Sequence, residues 1–554
     1  MAIVTGREAL MEILHNEGVE YVFGIPGATE VLFMDALEKQ QEIKYILCLH
    51  EVIAVGAAEG YARTSGRVGF VNLHTGCGVA SSMGLLFNAH RGGVPLVVTA
   101  GQVDSHLLLR DPHLSGQLVK MAGPLTKWGA EVLYAADIPV VLQRAFKMAK
   151  QSPTGPVLVS LPQDVLNQSL DFEYMPSMPL LTQMRADVDA IDRAAELLLK
   201  TRNPAIIVEN GVAKNDALYE VVRLADLMGA RVYQQWMSDV NFPNQHPLYV
   251  GEVSTSDPST RQIFEPFDLL MVIGCQLFGQ DRYVSESLIA KHTKVIQIDD
   301  DPWEIAKNFP VSVGIQGNIK VAVAELTDLL ERTMSDQAKD AARARASDIA
   351  RETGEKRAAF LKQAEAEKND ISISVAHLML EMRDALKPGT LVVDDCWSSS
   401  ATLRRVLNLN EPKSFQRSRC GGSIGWGMPG AVGVQLAAPE RPVVAVCGDG
   451  SAIWSMQSLW TAANYDLPVT YIIVHNASYH MVKYFWTYLL GGNLGDRHLG
   501  LELDEPVIDF CKLAESMGVH GERVERPAEL RQTLSAVLGS GKPSLVEVCV
   551  KNTP

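Results

Sequence analysis

The sequence predicts an α/β protein made of three consecutive blocks, each built on a parallel sheet. Three observations lead there. Short apolar runs alternate with helical patterns along almost the whole chain, the rhythm of β-α-β units. That rhythm breaks twice, at the proline-interrupted stretch from Leu170 to Leu181 and at the Ala-, Lys-, Arg- and Glu-rich stretch from Ser335 to Asn369. A chain of 554 residues is also too long for one hydrophobic core and suits three domains of ordinary size.

The first block, residues 1–168, opens on MAIVTGREALMEIL. A charge and a glycine precede any long apolar run, so this reads as the start of a helix and not as a signal peptide. Its strand candidates are Tyr21–Ile25, Ile43–Leu49, Gly69–Leu73, Leu96–Thr99 and Val157–Ser160. Leu170 to Leu181 reads as a linker. The second block, 185–334, repeats the rhythm with Ala205–Glu209, Arg231–Gln234, Leu269–Ile273 and Lys294–Ile298. From Ser335 to Asn369 a long, exposed, charge-laced helix is expected, with Gly354 its only glycine. The third block, 371–554, carries the chain's most informative segment. No internal repeat relates the first block to the third.

Composition narrows the function classes. Hydrophobic residues make up 47% and charged residues 21%, as in a soluble globular enzyme. A formal net charge of −15 argues against a nucleic-acid surface and reads as solubility. Eight cysteines without a CxxC pair read as reduced core thiols. No run is apolar for long enough to span a bilayer, so no membrane partner and a cytoplasmic location are expected.

In the third block the apolar run Pro442–Cys447 leads straight into Gly448-Asp449-Gly450-Ser451, and Val469–Val474 leads into Asn476. Ala452 to Tyr465 between them reads as a helix. A β-α-β unit sets its two strands parallel with their carboxyl ends on one edge, so Asp449 and Asn476 converge. Ligands of open α/β sheets bind at that edge. A carboxylate, an amide oxygen and a nearby backbone carbonyl (that of Ser478) form half of a magnesium shell, the rest being phosphate oxygens and water. Gly448 and Gly450 let the backbone approach a phosphate closely. The segment reads as a diphosphate–Mg²⁺ site.

At these residues the chain resembles the thiamin diphosphate (ThDP) decarboxylase and acetolactate synthase superfamily. A second signature agrees: the apolar run Ile43–Leu49 leads into His50-Glu51 and a helix from Val52 to Arg63. The resemblance spans nearly the whole chain and is strongest in Ser458–Leu467 and Gly433–Arg441, where it is nearest to the benzoylformate decarboxylases. It implies the ThDP-enzyme fold, with pyrimidine-binding, central and diphosphate-binding domains. It also implies a homotetramer, a dimer of dimers, with active sites between subunits.

The resemblance further implies roles residue by residue. Glu51 matches the glutamate that activates the cofactor through its pyrimidine ring; the alternative is a helix-terminal glutamate held by the dipole. Ile424 matches the apolar wedge between the cofactor's rings, and the Gly422 carbonyl the acceptor for its amino group. Ser398 and Ser399 lie where the family holds the diphosphate by hydroxyls, although serines at strand ends also serve as caps. His74 matches a catalytic histidine, a proton shuttle at neutral pH. Ala28 replaces the serine that orients the substrate carboxylate. Gln280 or Asp281 stands where a second histidine is expected. His113 either compensates for that loss or is a loop histidine in solvent. Met481, Val482 and Phe485 share one helical face, expected to line an apolar substrate pocket.

The expected activity is therefore ThDP- and Mg²⁺-dependent, non-oxidative decarboxylation of a benzoylformate-like 2-oxo acid to an aldehyde. One rival is an acetolactate synthase-like carboligase, acting on a second carbonyl compound. The other is a ThDP-binding paralogue without turnover, against which the intact Glu51, Asp449 and Asn476 argue. FAD is not expected, because no GxGxxG follows any strand of the central block.

Overall fold

The computed structural model describes residues 2–175, 183–236, 238–254, 257, 259–277, 286–418 and 421–551. The chain divides into two compact units: residues 1–180, 370–401 and 418–554 form one, and residues 181–369 with 402–417 the other.

The first and third blocks of the sequence each form a six-stranded sheet. One contains β2 (Tyr21–Gly24), β3 (Lys44–Leu47), β4 (Gly69–Leu73), β5 (Leu96–Gln102), β6 (Trp128–Glu131) and β7 (Val157–Pro162), in the order β3-β2-β4-β5-β7-β6 with parallel pairing throughout. The other contains β15 (Leu391–Asp395), β16 (Phe415–Gln416), β17 (Val443–Gly448), β18 (Val469–His475), β19 (His520–Val524) and β20 (Ser544–Cys549). Its order is β16-β15-β17-β18-β20-β19, and the ladder from β15 to β19 is parallel. Numbered within each sheet, both orders read 2-1-3-4-6-5, so the first and third blocks share a topology that their sequences do not reveal.

Two glycine-bearing helices join these sheets into one body. Ile53 to Ala62 of the Glu51–Ser65 helix are all buried, and they pack on the Gly427–Ala437 helix. A Cβ at Gly60 would lie 2.1 Å from the Gly430 carbonyl, and one at Gly433 would lie 1.8 Å from that of Ala57. Backbone touches backbone here. Any side chain at either position would push the two helices apart.

The second unit carries β9 (Pro204–Val208), β10 (Arg231–Gln235), β11 (Tyr249–Val253), β12 (Leu269–Ile273), β13 (Lys294–Asp299) and β14 (Val313–Gln316). They form one parallel sheet in the order β11-β10-β9-β12-β13-β14. The long charged helix runs from Asp336 to Ala366, capped by the Ser335 hydroxyl.

Three expectations need correction. The N-terminus begins as a strand, β1 (Ala2–Thr5), and the helix starts only at Gly6, behind a capping box in which Glu8 accepts from the Thr5 N–H at 2.7 Å. The expected linker begins inside β8 (Ser169–Phe172), which pairs antiparallel with β1. The single helix expected from Ala452 to Tyr465 is two short ones, Asp449–Ala452 and Ser458–Asn464.

Candidate active site

The carboxyl edge of the β17–β18 pair gathers the metal-type ligands. Asp449 is buried, and its Oδ2 accepts from the backbone N–H groups of Asn476 at 3.0 Å and Ala477 at 2.6 Å, while Oδ1 accepts from Gly450 N–H at 2.7 Å. One carboxylate thus ties the two halves of the motif together. Burial pushes the Asp449 carboxyl above the ordinary carboxylate value, against the lowering pull of the Gly450 N–H, the nearby His475 and the other two N–H groups. Asn476 Oδ1 accepts from Ser478 N–H at 3.0 Å, and Ala477 between them is held at φ +53°. Gly450 makes room for the Tyr479 ring, which a Cβ there would meet at 2.7 Å. Gly448 and Ser451 flank the same turn, Ser451 buried and Gly448 partly exposed.

The glycine loop at 421–427 sits beside this edge. Asp395, at the end of β15, accepts from the N–H groups of Gly425 and Gly427, both at 3.0 Å, and Ser455 donates to the Gly425 carbonyl at 2.7 Å. From the first block, Asn88 donates to the Ser423 carbonyl at 2.9 Å and accepts from Ser423 N–H at 3.1 Å. These contacts fix the loop on both sides of Ile424, leaving Ile424 half-buried and Gly422 exposed at φ +83°. Of the serines after β15, Ser398 is partly exposed and Ser399 buried, whereas Ser400 is bound to Asp394 at 2.7 and 2.8 Å.

The carboxyl edge of the first sheet gathers the second group. Glu51 opens its helix behind the cap of His50, which accepts from Val52 N–H at 3.1 Å. Gly78 leaves space for the Glu51 carboxyl: a Cβ at position 78 would lie 3.3 Å from Oε1. His74 follows β4 at the N-cap position of the Thr75–Gly92 helix, and its side chain makes no capping bond. Its Nδ1 meets Glu30 Oε2 at 2.8 Å and Thr29 Oγ1 at 2.9 Å. Glu30 is 1% exposed and also accepts from Gly27 N–H at 3.0 Å and Thr29 Oγ1–H at 2.6 Å. Nδ1 is therefore occupied, and Nε2 is the atom left for exchange with a ligand. Ala28 is exposed. His113 is exposed too, but its loop is brought to His74, since Thr75 Oγ1 donates to the Leu114 carbonyl at 3.0 Å.

Gln280 and Asp281 lie outside the described residues. The helix after the Asn476–Ser478 turn, His480–Leu490, is inverted relative to an ordinary amphipathic helix. Lys483 is its buried residue, while Val482 and Phe485 are 47% and 40% exposed and Met481 is half-buried.

Sequence reasoning missed Glu30, Asp395 and Asn88. For Glu30 a signal was present: a glutamate three residues after Gly27 in a strand-to-helix turn is the spacing of a side chain that folds back on the backbone. For Asn88, in mid-helix, there was none.

Family profiles match in three parts: the N-terminal TPP binding domain over residues 4–120, the central domain over 191–326 and the C-terminal TPP binding domain over 398–548 of thiamine pyrophosphate enzymes. The chain is 30% identical to a probable acetolactate synthase large subunit of Methanocaldococcus jannaschii, covering 98% of this chain and 92% of that one. It is 29% identical to benzoylformate decarboxylase of Pseudomonas aeruginosa, covering 98% of each. Among solved structures, the thiamine diphosphate-dependent 4-hydroxybenzoylformate decarboxylase of Rhodococcus jostii superimposes with a TM-score of 0.86 at 27% identity, over 99% of both chains. With its three domains in the family's order and the motif residues gathered at two sheet edges, the chain belongs to the thiamine pyrophosphate enzymes, the family of the decarboxylases and acetolactate synthases.

Proposed function

We propose that this enzyme binds ThDP with Mg²⁺ and decarboxylates a benzoylformate-like 2-oxo acid to an aldehyde. The observation that carries the cofactor reading is the Asp449 carboxylate clasped by Asn476 and Ala477. Asp449, the Asn476 amide oxygen and the Ser478 carbonyl would hold Mg²⁺. Gly448, Gly450, Ser451, Ser398 and Ser399 would face the diphosphate. Ile424 and the Gly422 carbonyl would hold the two rings of the cofactor, and Glu51 its pyrimidine nitrogen. When bound, ThDP supplies the electron sink for cleavage beside a carbonyl. The chain supplies proton handling: Glu30 fixes His74 through Nδ1, and Nε2 takes or gives the proton on the substrate side. Glu30→Gln keeps the shape but loses the charge, and is expected to lower kcat about tenfold while leaving ThDP affinity unchanged; partners that orient a functional histidine are worth about 10–100-fold.

The half-buried Met481 and the exposed Val482 and Phe485 favour a pocket for an aromatic acyl group. An apolar helix beside the metal loop also suits active sites completed by a second subunit, in a cytoplasmic homotetramer. Mixing Glu51→Gln with Asp449→Ala chains would then restore activity that neither variant has alone. The central sheet has the strand order of dinucleotide-binding folds, with its switch point between β9 and β12. There Glu209 accepts from Gln276 N–H at 2.8 Å, and the Gly211 and Gly274 backbones pack together. A carboxylate in that crevice disfavours a flavin diphosphate.

Carboligation is the second reading, and exposed Ala28 favours it. Without a hydroxyl there, the substrate carboxylate has one partner fewer. Ala28→Ser adds a donor worth about 1 kcal/mol if it reaches the carboxylate. For a decarboxylase the expected result is a higher kcat/KM for benzoylformate; for a carboligase it is more free aldehyde and less hydroxyketone. A variant unchanged in rate and product ratio places Ala28 outside the pocket.

A further inference from the structure

The metal loop is held from two sides, and only one of them belongs to the motif. On one side Asp449 accepts from Asn476 and Ala477 N–H. On the other, residues 498–503 lie along the loop as a strap. Tyr479 N–H donates to the Leu501 carbonyl at 2.9 Å, Leu503 N–H donates to the Ala477 carbonyl at 2.8 Å, and Ser478 and Glu502 form an antiparallel bridge. Ala477 sits at φ +53°, a costly conformation for a residue with a Cβ, so both sides are needed to keep it there.

The strap is tied to the helix that follows the loop. Lys483, 0% exposed, places its Nζ 2.8 and 2.9 Å from the two carboxylate oxygens of Glu502, and one turn further on Trp486 stacks on His498 with ring centroids 4.2 Å apart. Glu502 also accepts from His498 N–H at 3.3 Å. Lys483 is buried and Glu502 only partly so; for such a pair desolvation offsets much of the attraction, and apolar replacement is often close to neutral. What it does supply is register. Sliding the strap by one residue turns Glu502 to the other face, away from Lys483.

We propose that the Lys483–Glu502 pair is a positioning latch for the metal loop. It sets the strap's register, which holds Ala477 in its left-handed conformation and keeps the Asn476 amide oxygen and the Ser478 carbonyl aimed at one cation. The proposal rests on the Mg²⁺–diphosphate reading of that loop.

The test compares wild type, Asp449→Ala and the double variant Lys483→Met/Glu502→Leu, measuring thermal unfolding of the apo protein and Mg²⁺ titration in the presence of ThDP by calorimetry. The expected double variant unfolds within a few degrees of wild type, requires at least tenfold more Mg²⁺ for half-saturation, and regains ThDP binding in excess Mg²⁺. Mg²⁺ affinity within twofold of wild type overturns the latch. Failure of wild type itself to bind Mg²⁺ with ThDP overturns instead the reading on which the latch rests. If the apolar pair does not fold, Glu502→Asp decides: it keeps the charge and shortens the reach, and the same weakening is expected, whereas wild-type affinity refutes the proposal.

Discussion

Asp449→Ala is expected to abolish cofactor binding while sparing the fold, with Mg²⁺–ThDP affinity falling more than about 100-fold, since even the supporting partners of a metal ligand are worth about 10–100-fold. Asp449 is the carboxylate of the proposed shell, and without it the diphosphate charge has one negative ligand fewer to fix its cation. The fold should survive because burial already holds this carboxyl above its ordinary pKa, so its ionised form is not what stabilises the apo protein. What is lost is the acceptor for the N–H groups of Gly450, Asn476 and Ala477. Asp449→Asn separates the two effects, because its amide oxygen still accepts from the loop while the charge is gone. Both variants are expected to unfold within a few degrees of the wild-type apo protein and to show no ThDP-induced rise in Tm. Normal affinity by calorimetry in either would remove Asp449 from the site.

Glu51→Gln is expected to leave ThDP bound and to slow exchange of the cofactor's C2 proton by about 10³-fold, within the range of a lost general acid–base group. The glutamine keeps one hydrogen bond to the pyrimidine but cannot share a proton with it. Asp449→Ala loses the cofactor, whereas Glu51→Gln keeps it bound but inert. Unchanged exchange measured by NMR would leave Glu51 as a helix-terminal residue beside the His50 cap.

Most buried parallel strands were readable because strands buried on both faces are continuous apolar runs, although β15 and β20 were not among those expected. Gly69–Leu73 and Leu269–Ile273 match their expected bounds, and most others end within one or two residues. Edge strands such as β6, half-buried along its length, carry no such run and left no signal. The shared topology of the first and third sheets was invisible, because strand order is set by crossover connections and not by residue identity. The site divides the same way. Asp449, Asn476, Glu51 and His74 stand at strand ends, where a β-α-β pattern predicts convergence. Local spacing marks the fold-back of Glu30 on Gly27, but not its bond to His74 across 44 positions or that of Asn88 to Ser423 across 335. In the 480–490 helix the buried residue is one that no apolar pattern marks. Lys483 goes inside, paired with Glu502, while Val482 and Phe485 stay exposed on the face expected to line a pocket.

The most direct test of the central claim is product analysis with the holoenzyme. Benzoylformate labelled at the carboxyl carbon, and separately pyruvate, would be incubated with and without an added aldehyde, in the presence of ThDP and Mg²⁺ and again after chelation. Benzoylformate is expected to give labelled CO₂ and benzaldehyde in equal amounts, lost on chelation and in Asp449→Ala, with hydroxyketone a minor product. Hydroxyketone or acetolactate-type condensation as the main product would make the enzyme a carboligase. Release of no CO₂ from either acid by a protein that binds ThDP normally would contradict the decarboxylase assignment outright.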